Sequence, residues 1–467
     1  MSRTVMGQQH KLPDVLWFAC AVAALGGFLF GFDMAVVSGT LPLVTEQFSL
    51  SAFQQGWFVS SALVGCIVGV AVSGELGDRY GRRRALLLAA VLFLVSAVGS
   101  GLLPSFSSIV WARLLGGVGV GIASSMVPLY ISEIAPARIR GRLVTYYQLA
   151  VTFGILMAYL SNAFLLHRTY DTGAQASGWL GVAFDEEVWR GMFMVEALPA
   201  LVFLLGLMAI PESPRWLIQQ GHTAAGMALL GRFVGEAEAQ ADAESRQRQS
   251  RQRQAAYREL FAPKWRGALL LGLLLPLFSQ FCGINAIIYY GPSILKATGV
   301  SLTNSLQSQI VFGVANLLFT LVAVWKVDKL GRRPLYLAGT VAAALSLMVV
   351  GACLHAELTG GLLLGAVIVF LASFAFSIGP LKFVVAAEIF PAAIRGRAMA
   401  LSIMVMWVAD TIIGQLTPVL LEGIGTAFTF WFFALWCVLA FITVYRLLPE
   451  TKGKSLEDIE RRWLENR

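Results

Sequence analysis

Charge is what this sequence has least of. Lys, Arg, Asp and Glu make up only 13% of its 467 residues, while hydrophobic residues make up 57%. That charged share is about half of what an ordinary soluble domain carries. No soluble core hides so much apolar surface behind so few charges. A soluble enzyme, a disordered chain and a nucleic-acid-binding domain are therefore excluded. Histidine is scarce too: His10, His167, His222 and His355 all fall at a terminus or in a loop. The five cysteines, Cys20, Cys66, Cys282, Cys353 and Cys437, all lie in apolar runs. Their number is odd and their spacing suits neither a metal nor a disulfide framework. No Asn-x-Ser/Thr acceptor is present.

Signatures of enzymes are missing as well. GKS at 453–455 has Leu448 where a phosphate-binding loop needs its leading glycine. The glycines of 117–121 lie inside an apolar run with no strand before them, and read as close helix packing. Neither H-E-x-x-H nor G-x-S-x-G occurs. The expectation is a protein that is not an enzyme, has no metal and no cofactor, and is driven by no nucleotide.

What is present is a series of long apolar runs. They fall at 15–38, 56–76, 85–103, 108–130, 142–166, 190–210, 266–291, 305–327, 334–354, 361–388, 399–421 and 426–448. A spanning helix needs about 20 such residues at about 1.5 Å each. The runs are too continuous for the alternating segments of a membrane β-barrel. The first is too long for the core of a cleaved leader and should remain as an anchor. An all-α integral membrane protein of twelve transmembrane helices is expected.

The net charge of +8 is a topology signal. With both termini cytoplasmic, 30 of the 35 Lys and Arg fall in cytoplasmic segments, as the positive-inside rule requires. The segment 211–265, which includes RQRQSRQRQ at 246–254, reads as a solvated helical linker. It divides a bundle at 1–210 from a second at 266–448, and a cytoplasmic tail follows at 449–467.

The two bundles repeat one another. GELGDRYGRRR at 74–84 returns as VDKLGRRP at 327–334, and EIAPARIRGR at 133–142 returns as EIFPAAIRGR at 388–397. PESPRW at 211–216 is echoed by PETKGK at 449–454. Two six-helix bundles in parallel repeat are the architecture of a transporter that rocks about a central site.

At these motifs the sequence resembles the major facilitator superfamily, specifically its sugar porters, over nearly the whole chain. The resemblance implies alternating access around a midplane site. It also implies that Asp78, Arg82, Glu133, Arg142, Glu212, Arg215, Asp328, Arg332, Glu388 and Arg397 form a breakable lock of ion pairs at the cytoplasmic face. Exposed pairs of about 0–1 kcal/mol each suit a gate.

Five charges lie inside the runs: Asp33, Arg113, Glu196, Lys382 and Asp410. Each costs at least about 2.5–3.5 kcal/mol at a helix centre, so function is the default reading. Measured from the run ends, Asp33, Arg113 and Glu196 sit about 8–9 Å below the outer surface and can meet. Bacterial xylose–proton symporters carry the same three residues, which implies that they couple transport to a proton. With no mid-span histidine, the proton must ride on a carboxylate.

A neutral sugar needs hydroxyl partners and flat apolar surface. Gln148, Gln280, Asn285 and Asn316 supply amides, and Trp407 a ring. GINAIIYYGP at 283–292 interrupts the seventh run with Gly and Pro. These positions match the sugar contacts of the family. There are departures: Ser279 stands where many members have Gln, Phe383 replaces a Trp, Lys382 is unexpected, Asp410 replaces an Asn and Ala375 an acid of the glucose carriers. A Lys382–Asp410 pair is the first expectation; Lys382 snorkelling to the cytoplasm and Lys382 binding an anionic sugar are the alternatives. The reading is proton-coupled symport of a monosaccharide, with proton, sugar and lipid as partners and no nucleic acid. It places a monomer in the plasma membrane, the inner membrane of a bacterium. A facilitative uniporter, a drug–proton antiporter and a transport-dead sensor are the alternatives.

Overall fold

The computed structural model describes residues 14–136, 139–171, 181–236, 239–240, 260–297, 299–358, 360–390 and 394–452. The described residues are overwhelmingly helical, with no strand among them. Twelve helices are long and apolar enough to cross a membrane. Spans 1 to 6 are Asp14–Phe48, Ala52–Tyr80, Arg82–Leu102, Phe106–Ile134, Arg140–Thr169 and Val188–Ala209. Spans 7 to 12 are Pro263–Lys296, Leu302–Ala323, Arg332–His355, Gly361–Ile389, Arg395–Gly423 and Thr426–Leu447. Each expected run is found. Hydrocarbon offers the backbone no partners, so each apolar run must satisfy its N–H and C=O groups internally, as a helix. The chain is an all-α, multi-pass membrane protein.

Span 1 differs most from its run. It continues past residue 38 to Phe48, through Pro42, because Leu41 and Val44 stay buried against neighbouring helices. The depth assigned to Asp33 from the end of the run is thereby wrong: about two-fifths of the helix lies beyond it.

Three spans are interrupted. Span 6 pauses at Glu196, between helices Val188–Val195 and Ala197–Ala209. Span 7 breaks at Cys282–Gly283, where Gly283 has φ +85°, a conformation that only glycine adopts freely. Pro292, the other expected breaker, sits inside the helix Ile284–Ala297 without ending it. Span 10 swells into a π-turn over Phe374–Ile378, which the sequence did not signal.

Packing follows the repeat. Within the first half, span 2 packs on span 4, span 1 on span 5 and span 3 on span 6; within the second, span 8 packs on span 10, span 7 on span 11 and span 9 on span 12. The halves meet through spans 2 and 11, spans 5 and 8, and spans 1 and 7. A two-fold axis along the membrane normal exchanges the first two contacts and maps the third onto itself. The expected linker is helical where described, at Pro214–Gln219 and Thr223–Val234. The RQRQSRQRQ run and residues 453–467 of the expected tail lie outside the described residues.

Candidate functional site

The end bearing the repeated motifs, called the basic end below, contains the same staple twice. Arg82 Nε donates to Glu133 at 3.1 Å, and Arg332 reaches Glu388 at 2.9 Å. Ser213 donates its hydroxyl to Glu133, and Thr451 does the same to Glu388 at 2.6 Å. Glu212 accepts the backbone N–H of Arg83 at 2.9 Å, and Glu450 accepts those of Arg332 and Arg333 at 3.1 and 3.2 Å. Each glutamate thus caps the first turn of span 3 or span 9, a position that the helix dipole favours for an anion.

This revises the expected lock. The pairs that the lock residues form with described residues are internal to each half. Glu212 is a backbone cap and forms no ion pair among the described residues. Asp78 bonds Arg82 at 3.1 Å, but its side chain is 77% exposed. Arg215 donates to the Ser132 carbonyl at 3.2 Å. Arg142 is exposed and pairs with none of the described residues. Arg397 lies in the first turn of span 11. The side chain of Asp328 lies outside the described residues. Sequence reasoning missed Ser213, Glu450 and Thr451. The shared Glu-hydroxyl of PES and PET was the available signal.

At mid-depth, Arg113 on span 4 is 2% exposed. Its Nε donates to the Phe58 carbonyl at 3.1 Å, and its guanidinium lies 5.1 and 5.3 Å from the Phe58 and Phe193 ring centres. Asp33 approaches the same helix one turn on, at Gly116. Glu196 follows Phe193 by one turn. All three charges lie within electrostatic reach of one another. The structure therefore brings the trio together, but not as an ion pair. Asp33 Oδ2, Glu196 Oε1 and Arg113 Nη1 are all buried without a hydrogen-bond partner.

On the other half a polar chain crosses the break of span 7. Asn285 Nδ2 donates to Gln280 Oε1 at 2.8 Å and to Asp410 Oδ1 at 2.6 Å. Tyr289 donates to Asp410 Oδ2 at 3.3 Å, and its hydroxyl also touches Met34 of span 1 at 3.5 Å. Lys382 Nζ donates to Ser279 Oγ at 3.2 Å and lies 5.3 Å from the Phe383 ring centre. The expected Lys382–Asp410 bond is not formed. Ser279, a short hydroxyl where Gln was the family's choice, takes the ammonium, and Asn285 and Tyr289 take the carboxylate. Trp407 packs on Phe30 of span 1 with ring centres 5.5 Å apart, and its Nε1 is buried without a partner. Gln148 is exposed, and Asn316 and Phe383 are half-buried. The Gln148 and Asn316 side chains bond to none of the described residues.

Two symmetric groups of helices around unpartnered amides and acids at mid-depth define a carrier, not an enzyme. Comparison gives the family. Residues 19–463 match the model for the sugar (and other) transporters, and the chain belongs to that family. It is 38% identical to the arabinose-proton symporter of Bacillus subtilis (strain 168), over 98% of this chain and 97% of that one. It is 37% identical to the D-xylose-proton symporter of Escherichia coli (strain K12), over 95% and 94%. Among solved structures, the inward open conformation of the E. coli xylose transporter XylE matches with a TM-score of 0.82 and 34% identity, over 96% of this chain and all of that one. XylE bound to 6-bromo-6-deoxy-D-glucose matches with a TM-score of 0.79 and 36% identity, over 96% and 99%.

Proposed function

We propose that the chain performs proton-coupled symport of a monosaccharide by alternating access. Asp33 and Glu196 carry the proton beside Arg113. Gln148, Gln280, Asn285, Asn316, Phe383 and Trp407 receive the sugar. The buried trio is the observation that carries the reading. Arg113 keeps its charge, since an arginine pKa exceeds about 12. With both acids ionised the trio holds net charge −1, and one proton brings it to zero. A bare carboxylate oxygen on each acid leaves a place for that proton. The proton is the only coupling ion needed, and no cofactor enters.

The two sites adjoin one another. Met34, next to Asp33 in the chain, touches Tyr289, and Tyr289 touches Asp410. A shift of span 1 when Asp33 changes charge is therefore felt at the amides. The symporters of arabinose and xylose among the relatives support a pentose or hexose as substrate. The excess of Lys and Arg supports a cytoplasmic basic end with both termini inside. Bacterial relatives support the inner membrane, with apolar side chains such as Leu345 and Phe164 facing lipid around a monomer.

Uptake into proteoliposomes tests the proposal, using a panel of pentoses, hexoses, inositols and sugar acids with and without a pH gradient. Accumulation of one monosaccharide that collapses with the gradient is expected. Counterflow without any gradient-driven accumulation would make the chain a uniporter. No movement of any sugar would overturn the reading altogether.

A further inference from the structure

An amide side chain presents a donor at one end and an acceptor at the other, and a half-turn exchanges them. An ionised carboxylate has no such freedom, because it only accepts. Asp410 is 4% exposed, and its Oδ1 accepts from Asn285 Nδ2 at 2.6 Å, the one end of Asn285 that an ionised carboxylate can engage. The same NH₂ donates to Gln280 Oε1 at 2.8 Å. One carboxylate therefore orients two amides in succession. Asn285 is left showing its Oδ1. Gln280, with its oxygen engaged, is left showing its Nε2. Neither atom bonds to any described residue, and neither is sealed from solvent.

Lys382 completes the arrangement. Its ammonium is held on Ser279, within electrostatic reach of Asp410 but not on it. It balances the carboxylate's charge while leaving both oxygens to Asn285 and Tyr289.

We propose that Asp410 is a positioning residue that sets specificity by fixing the hydrogen-bond polarity of the sugar site: one acceptor, Asn285 Oδ1, and one donor, Gln280 Nε2. This rests on the reading above, that these amides receive the sugar. The substrate class is then a monosaccharide with a free hydroxyl that donates at one position and an oxygen that accepts at another. Capping the donating hydroxyl abolishes recognition, whereas an accepting oxygen tolerates loss of its hydrogen.

Monodeoxy and monodeoxyfluoro derivatives of the sugar that the uptake panel identifies read this polarity directly, because C–F accepts weakly and cannot donate. In the parent protein, calorimetry is expected to show one ring position where fluoro and deoxy derivatives bind equally poorly, about tenfold below the sugar. At a second position the fluoro derivative should bind several-fold better than the deoxy. Asp410→Asn, whose amide can turn either way, should erase the difference between positions. Asp410→Glu should keep it, and Asp410→Ser serves if the Asn variant fails to fold. If Asp410→Asn and Asp410→Ser both retain the parent pattern, Asp410 does not set the polarity. If Gln280→Ala and Asn285→Ala leave every derivative's affinity unchanged, the sugar site itself lies elsewhere, which is a different failure.

Discussion

Arg113 shows how far residue types alone can be read. Its meeting with Asp33 and Glu196 was legible, because three charges in apolar runs have few places to go. The manner of meeting was not, because nothing in the sequence says that two phenylalanine rings and a carbonyl take up the guanidinium. Without a direct pair, the acids are free to change charge. Asp33→Asn should therefore abolish accumulation of sugar against a gradient while leaving exchange largely intact, measured as uptake and counterflow on one preparation. Gln148→Ala, Gln280→Ala and Asn285→Ala should each weaken sugar binding by about 1–3 kcal/mol in calorimetry, the cost of an unsatisfied polar partner. Lys382 and Asp410 are the failure at this scale. Matching their depths ignored the hydroxyl of Ser279 and the amide of Asn285, which lie closer to each charge. A thermal double-mutant cycle of Lys382→Met and Asp410→Asn should give a favourable coupling of about 0.5–3 kcal/mol, since each buried charge offsets the other without a bond between them.

At the scale of elements, the paired motifs were plain in the sequence and their chemistry was half hidden. A glutamate beside an arginine suggests an ion pair, but a carboxylate accepting the N–H groups of a helix start leaves no trace in composition. Gly81 and Gly331 tie the two readings together. Both take positive φ, +100° and +88°, and a β-carbon on Gly81 would collide with the Glu212 carboxylate. Gly81→Ala should cost about 1–3 kcal/mol of stability by thermal unfolding in detergent. At the second copy, partial burial acts to raise the Glu450 carboxyl. The backbone N–H groups of Lys452, Arg332, Arg333 and Thr451 outweigh it and hold the group below its ordinary value of 4.5. The cap is therefore fully present at neutral pH and lost as the pH falls below 4.5 through the lowered value. Glu450→Gln should lower the melting temperature at pH 7, and by progressively less as the pH falls below 4.5.

For the whole molecule, apolar length gave all twelve spans, since hydrocarbon enforces helices wherever enough such residues run together. The breaks in spans 6 and 10 were invisible, because a π-turn or a pause at one glutamate needs no special residue. The relation between the halves also had to be seen. Among the described residues, polar ties between them lie far from the basic end: Ser60 with Gln415 at 2.8 Å, Gln415 with the Phe53 carbonyl at 3.0 Å, and Lys296 with Glu46 at 3.4 Å. That end must part for the carrier to complete a cycle. A thiol cross-linker joining Ser60→Cys to Gln415→Cys should stop transport and release it on reduction, while either cysteine alone should leave the cross-linker without effect.

The duplicated staple also bears on how the chain is made. Its first copy is complete once Ser213 has left the ribosome, before any of the second bundle exists. The second copy waits for Thr451, after span 12. The first bundle can therefore lock its helices in the bilayer while synthesis continues, and the second must hold six spans together without its Glu388–Thr451 bond until nearly the last residues emerge. Premature termination just before Pro449 would leave twelve inserted helices of which only the first six carry the whole staple, the second bundle keeping Arg332–Glu388 alone.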